Sequence, residues 1–244
     1  MRSDDPAAVR EQYATEDGLA ARASIYGGEG VDARAIVLDE LQPLQPARLL
    51  EVGCGWGELA ERMASDLGCS VIAIDQSPRM VELAVERGVD ARVGDVQELT
   101  FRDAEFDAVV AAWMLYHVPD LDRALSECAR VLRRGGVLVA VTNAAADFAE
   151  LWKLVGRDTS ARLLTFRAEN GEETLSRHFD VVVRRDVTAD VTFPDADAVR
   201  RYVGSSIAGR QYVDNVPELD DPFVARKLVT VFVATKGPAE QVSG

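Results

Sequence analysis

The stretch on which the reading turns is Leu49-Leu50-Glu51-Val52-Gly53-Cys54-Gly55-Trp56-Gly57. Its first four residues suit a short buried strand. Glycines then alternate with other residues, and a helical pattern runs from Glu58 to Leu67, where Gly68 ends it. Glycine at a strand-to-helix turn permits a tight reversal and lets a ligand come close to the backbone. The helix beyond presents N–H groups that have no partner within it. The spacing is G-x-G-x-G with Glu51 ahead of it, whereas dinucleotide-binding turns carry G-x-G-x-x-G.

Two further acids end the strands that follow. Ser70–Asp75 reads as a strand, and Asp75 lies 20 residues after Gly55. An acid at that place can accept hydrogen bonds from both hydroxyls of a ribose. Ser77 is an N-cap for a helix over 78–87, with Pro78 in its first turn and Gly88 past its end. A short strand over 91–93 leads into Val93-Gly94-Asp95-Val96. Asp95 could accept from an adenine amino group, or simply form a Gly-Asp turn.

Strands are also expected over 106–114 and 137–142. Between them a helix over 121–133 aligns Leu121, Leu125, Cys128 and Leu132, and Gly135-Gly136 would end it. Strands apolar on both faces that alternate with helices mean a parallel sheet covered on both sides, an α/β doubly wound fold. Right-handed crossovers restrict its topology. Ligands in such sheets bind beyond the carboxyl ends of the strands, near the switch point.

The flanks read differently. Residues 1–45 have a helical pattern, and 46–143 form the alternating core. In 144–244, helices are expected over 148–155, 172–178 and 195–205, and strands over 181–185 and 228–235. The stretch 204–222 is loop-rich and suits part of a cap. A length of 244 residues fits one such domain with cap insertions.

Composition narrows the function classes. Hydrophobic residues at 48% and charged residues at 28% are ordinary for a globular chain. No apolar run approaches the ~20 residues that span a bilayer. Residues 1–6 carry charges of both signs and no apolar core, so no signal peptide and a cytoplasmic location are expected. The net charge of −14, with basic residues only in pairs such as Arg133-Arg134 and Arg184-Arg185, disfavours nucleic acid. Three cysteines without paired spacing argue against a disulfide framework or zinc site, and no H-E-x-x-H or Cys pair suggests a metal.

From Arg48 to Asn143 the chain resembles the class I S-adenosylmethionine (SAM)-dependent methyltransferases with a Rossmann-like core. The matching pieces are the glycine turn with its strand, Val71-Ile72-Ala73-Ile74-Asp75, Gly94-Asp95-Val96, Phe106-Asp107-Ala108-Val109-Val110 and Val131-Leu132-Arg133-Arg134-Gly135-Gly136. They occur in family order and spacing. The one small departure is Arg134, where the family often has Pro. The resemblance implies a seven-stranded, mostly parallel sheet whose last two strands form an antiparallel hairpin.

It also implies roles. Gly53, Gly55 and Gly57 would make room for the methionine part of SAM, and Asp75 would bind its ribose. Gln76 and Met80 would flank the adenine, with Asp95 and Val96 reading its edge. Ala111, Ala112 and Trp113 would line the methionine side. The segment 11–26 resembles a lid helix, in which Tyr13 would cover the sulfonium and Arg22 would pair with the cofactor carboxylate.

The resemblance implies direct displacement, which asks the protein for alignment and water exclusion more than for covalent chemistry. A neutral acceptor also needs its proton removed. His117, in Trp113-Met114-Leu115-Tyr116-His117-Val118 after the fourth strand, suits that task or anchors the following loop. Tyr116 could also face the acceptor. His178, at the end of an expected helix, reads as a cap or surface residue. The N-P-P-Y-type signature of adenine and glutamine methylation is absent. A small-molecule O- or N-methyltransferase, of the kind found in secondary metabolism, is therefore the leading expectation. Trp152, Phe166, Tyr202, Tyr212 and Phe223, with Arg201 and Arg210, could line a cap pocket for an aromatic or anionic acceptor, and ordinary core packing accounts for most of the aromatics equally well. The alternatives are an RNA or protein methyltransferase, a nicotinamide-dependent oxidoreductase, and a non-catalytic SAM-binding regulator.

Overall fold

The computed structural model describes Glu11 and residues 32–158 and 165–237. Seven strands form one sheet: β1 (Arg48–Val52), β2 (Ser70–Asp75), β3 (Asp90–Val93), β4 (Phe106–Ala112), β5 (Leu132–Asn143), β6 (Val181–Phe193) and β7 (Phe223–Thr235). Their order is β3-β2-β1-β4-β5-β7-β6. The first five pair in parallel, and β7 runs antiparallel to both β5 and β6. The expected doubly wound sheet with a final antiparallel hairpin is the one observed.

Successive strand residues point to opposite faces. Leu49, Val71, Val110 and Val139 pack with Val37 and Leu41 of α1 (Ala33–Leu41), Leu59 and Met63 of α2 (Glu58–Leu67), and Ala84 of α3 (Pro78–Glu86). Their neighbours Leu50, Ile72, Val109 and Leu138 pack on the other face. There they meet Leu125 and Cys128 of α4 (Leu121–Val131), Phe166, and Leu175 of α6 (Gly171–Leu175). This two-sided burial is why the strands read as nearly continuous apolar runs. No helix among the described residues is long and apolar enough to cross a membrane.

Two expected boundaries move. Helix α4 stops at Val131, and Gly135-Gly136 lies inside β5 rather than after a helix. The β4–β5 register jumps there, from Phe106↔Leu132 to Ala108↔Val137. A Cβ on Gly136 would stand 2.9 Å from the carbonyl oxygens of Arg133 and Asp107, so glycine serves a bulge. Strand β4 ends at Ala112 because Trp113 takes a left-handed conformation, φ +54°.

The largest difference is the last hairpin. Instead of 181–185 and 228–235, β6 and β7 each run for 13 residues and stay paired from Val181↔Thr235 to Phe193↔Phe223. The β6 extension alternates exposed with half-buried residues and has no apolar run to signal it. It carries a separate small core. Phe193, Ala225, Phe148, Trp152 of α5 (Ala149–Leu154) and Val199 and Val203 of α7 (Ala196–Gly204) pack together there. A short α8 (Ile207–Arg210) and a single turn at Val213–Asn215 break up the expected loop.

Candidate active site

The glycine turn is built as the sequence requires. Gly53, Gly55 and Gly57 have φ of +69°, +53° and +82°. The Gly53 and Cys54 amides both donate to the Ile74 carbonyl, at 2.8 and 3.0 Å, which ties the turn to the end of β2. A Cβ on Gly53 would lie 2.6 Å from the Met114 Cβ. Helix α2 starts at Gly57 with no side-chain cap.

A cavity of about 200 Å³ opens beyond the carboxyl ends of β1, β2, β3 and β4. It lies where the order β2-β1-β4 marks the reversal of winding. Of the residues expected to meet a cofactor, Gly53, Gly55, Asp75, Gln76, Asp95, Val96, Ala112 and Trp113 line it, and so does His117. Gly57, Met80 and Ala111 do not; all three are buried behind the wall. Met80 and Ala111 belong to the packing under α3 and β4, and Gly57 is pressed against Ala84. Tyr13 and Arg22 lie outside the described residues. Arg201 and Arg210 are exposed and do not reach the cavity wall. Tyr202 does line it, whereas Trp152, Phe166, Tyr212 and Phe223 do not.

Asp75 carries two loads. Its Oδ2 accepts from the Gly55 amide and its Oδ1 from the Ser77 amide, each at 2.9 Å. Burial raises its pKa, and those backbone bonds pull it back. Asp95 is exposed, and its Oδ1 accepts from the Gln97 amide at 2.8 Å, a turn-forming contact beside the cavity. His117 ends a single turn of helix (Leu115–His117), with its ring 4.5 Å from that of Tyr116. His178 sits far from the cavity and bridges to α4, with Nε2 2.8 Å from Asp122 Oδ1 and Nδ1 3.3 Å from Ser126 Oγ.

Glu51 is the polar group the motif reading left without a role. It lines the cavity, is 2% exposed, and its Oε2 has no hydrogen-bond partner among the described residues. Burial pushes its carboxyl up to about 8. The nearby Asp75 charge adds to that, while Arg34 and the Ala60 amide oppose it.

Residues 50–140 match the family model for a methyltransferase domain. Over that stretch the chain is similar to the methyltransferase domain. A ubiquinone biosynthesis O-methyltransferase of Xanthomonas oryzae pv. oryzae is 42% identical over 128 residues, which cover 50% of this chain and 53% of that one. A protein of the same name from Xanthomonas axonopodis pv. citri is 43% identical over 130 residues. The chain thus spans about half the length of the curated relatives it matches. Among solved structures, the phosphoethanolamine N-methyltransferase 2 of Haemonchus contortus, in complex with phosphomonomethylethanolamine and S-adenosylhomocysteine, superposes with a TM-score of 0.64. It is 19% identical and covers 98% of this chain and 61% of its own. The [4+2]-cyclase SpnF gives 0.62 at 21% identity, covering 94% and 96%. These likenesses show the fold alone.

The parallel strands β1–β4 supply one half of the cavity; the C-terminal hairpin supplies residues that no motif flags. Lys227 on β7 lines the wall with its side chain only 6% exposed. Its ammonium donates to Asp147 Oδ2 at 2.8 Å and to Asn143 Oδ1 at 3.1 Å. Asn143 Oδ1 also accepts from Trp113 Nε1 at 3.1 Å. The network therefore joins β7, the end of β5 and the turn after β4. Its sequence signal is faint: Lys227 follows Arg226 near the start of a strand that is mostly apolar from Leu228 onward.

Proposed function

We propose that this chain is a SAM-dependent methyltransferase that acts on an oxygen atom of a small molecule. The observation that carries the reading is the turn at residues 53–57, pinned by Asp75 and opening onto the cavity. The donor set fits the cofactor. Asp75 and the unpartnered Glu51 oxygen suit a cationic ligand with ribose hydroxyls, and the positive-φ turn leaves backbone space beside them. Gln76, Asp95 and Val96 would hold the adenine end, and Gly53, Gly55, Ala112 and Trp113 the methionine end.

When bound, the cofactor supplies an electrophilic methyl carbon on a sulfonium. The chain's own part is alignment, exclusion of water and proton management. His117, at the cavity wall, would take the proton of an acceptor hydroxyl. Oxygen rather than nitrogen as the acceptor atom is supported by the O-methyltransferase names of the Xanthomonas relatives. The net charge of −14 favours a small acceptor over RNA.

Calorimetry with SAM and with S-adenosylhomocysteine tests the cofactor, and transfer of label from methyl-labelled SAM to a phenolic panel tests the reaction. Saturable binding of both and labelled product are expected. Folded protein that gives no heat with either ligand overturns the proposal.

A further inference from the structure

Charge is divided across the cavity. The carboxylates that line it among the described residues are Glu51, Glu58, Asp75 and Asp95, and all lie at or just beyond the carboxyl ends of β1, β2 and β3. The opposite wall, from β4, β5, β7 and α7, presents Trp113, Tyr116, Asn143, Tyr202 and Lys227. Arg34 stands at the acidic side, 3.4 Å from Glu58. Lys227 is thus a cation buried in an aromatic wall, with the Phe148 ring 5.0 Å from its ammonium. Its counter-ion Asp147 is 3% exposed, does not line the cavity, and accepts from the Leu228 amide through Oδ1 at 2.9 Å. Bonds to Asp147 and Asn143 fix where the ammonium sits.

Resting on the methyl-transfer reading, we infer that Lys227 selects the acceptor. The β4–β7 side of the cavity takes an aromatic molecule that presents an ionised oxygen to this ammonium. A desolvated cation in a low-dielectric wall attracts an anion far more strongly than one in water. The flat apolar surface of Trp113, Tyr116 and Tyr202 suits an aromatic ring. In the reaction the acceptor O–H gives its proton to His117. The oxygen's electron pair forms the bond to the methyl carbon, and the carbon–sulfur bond breaks with its pair left on sulfur. Lys227 faces the oxygen during the interval in which it is charged. Asp147 holds Lys227 and is a positioning residue.

The test uses protein saturated with S-adenosylhomocysteine and the chromogenic probe 4-nitrocatechol, whose anion is read by absorbance. The bound probe ionises about one pH unit lower than the free probe, the effect of a close opposite charge. Lys227→Arg retains the shift. Lys227→Met abolishes it and weakens the probe about tenfold or more, as loss of a charge-assisted bond should. S-adenosylhomocysteine affinity falls far less than probe affinity, because its nucleoside contacts at Asp75, Gln76 and Asp95 lie on the other wall and only its methionine end meets Trp113. Should the buried Asp147 unfold the single variant, Asp147→Asn with Lys227→Met removes both charges together and gives the same readout. Binding of S-adenosylhomocysteine without binding of the probe overturns the inference and leaves the methyltransferase reading standing. So does a probe whose ionisation is the same in wild type and Lys227→Met. Failure to bind S-adenosylhomocysteine at all counts against the methyltransferase reading itself.

Discussion

Asp75 Oδ2 accepts the Gly55 amide at 2.9 Å, so the acid that closes β2 also holds the turn that closes β1. Removing it takes away a ligand acceptor and a structural pin at once. Asp75→Ala is expected to weaken S-adenosylhomocysteine about tenfold or more, since a hydrogen bond to a charged group is worth about 1.5–3 kcal/mol. The far-UV circular dichroism should not change, because the sheet and its helices keep their packing. Unchanged affinity in a calorimetric titration would refute the assignment.

Glu51 makes the ligand-free protein less stable as pH rises. Its pKa goes from an ordinary 4.5 to about 8 on folding, chiefly through burial. Between those values the folded chain holds a proton that the unfolded chain has released. Stability therefore falls with increasing pH across that window, by at most about 1.4 kcal/mol per pH unit, and levels off above it. Glu51→Gln stays neutral and lacks the decline. The urea midpoint of the variant relative to wild type should rise steadily from about pH 5 to pH 8. A pH-independent difference between the two would contradict the buried, protonated carboxyl.

Gly53→Ala meets two obstacles. Its φ of +69° is unfavourable for any side chain, and the new Cβ would come 2.6 Å from that of Met114. The left-handed conformation alone costs about 1–2 kcal/mol. Movement of the β4 turn adds to this and narrows the cavity. Denaturant unfolding should show a loss of about 2 kcal/mol or more, together with weaker cofactor binding. A variant as stable as wild type would mean that the turn relaxes freely.

His117 is expected to act on turnover and leave cofactor affinity alone. His117→Gln should lower kcat about 100-fold or more, the usual contribution of a general base. It should also remove the acidic limb of the kcat profile, because that limb reports the base becoming protonated. Acceptors that are already ionised should be spared most of the loss. Equal loss for ionised and neutral acceptors would assign His117 to anchoring the loop instead.

Most of the β1–β3 side of the cavity could be read from residue types, because a turn needs glycine and a strand end exposes its acid within one short segment. Asp75 and Gly53 are local signals of that kind. Met80 and Ala111 sit next to such signals in sequence, yet they point into the packing under α3 and β4. Neighbourhood in the chain did not reveal orientation. Gly135-Gly136 was ambiguous for another reason: glycine marks a bulge as readily as a helix end, and only the Asp107 carbonyl across the strand pair decides between them. The opposite wall depends on a pairing between residues 186–193 and 223–230. Lys227 and Tyr202 reach the cavity through that pairing, so no local pattern announces them.

On the proposed reading, the unbroken β6–β7 ladder ties acceptor choice to a late part of the chain. An exchange of residues 195–228 would leave the turn at residues 53–57 and the acids at 75 and 95 in place. Such a graft would have to carry residues 143–155 with it, because Phe148 and Trp152 share its core and Asp147 and Asn143 hold Lys227.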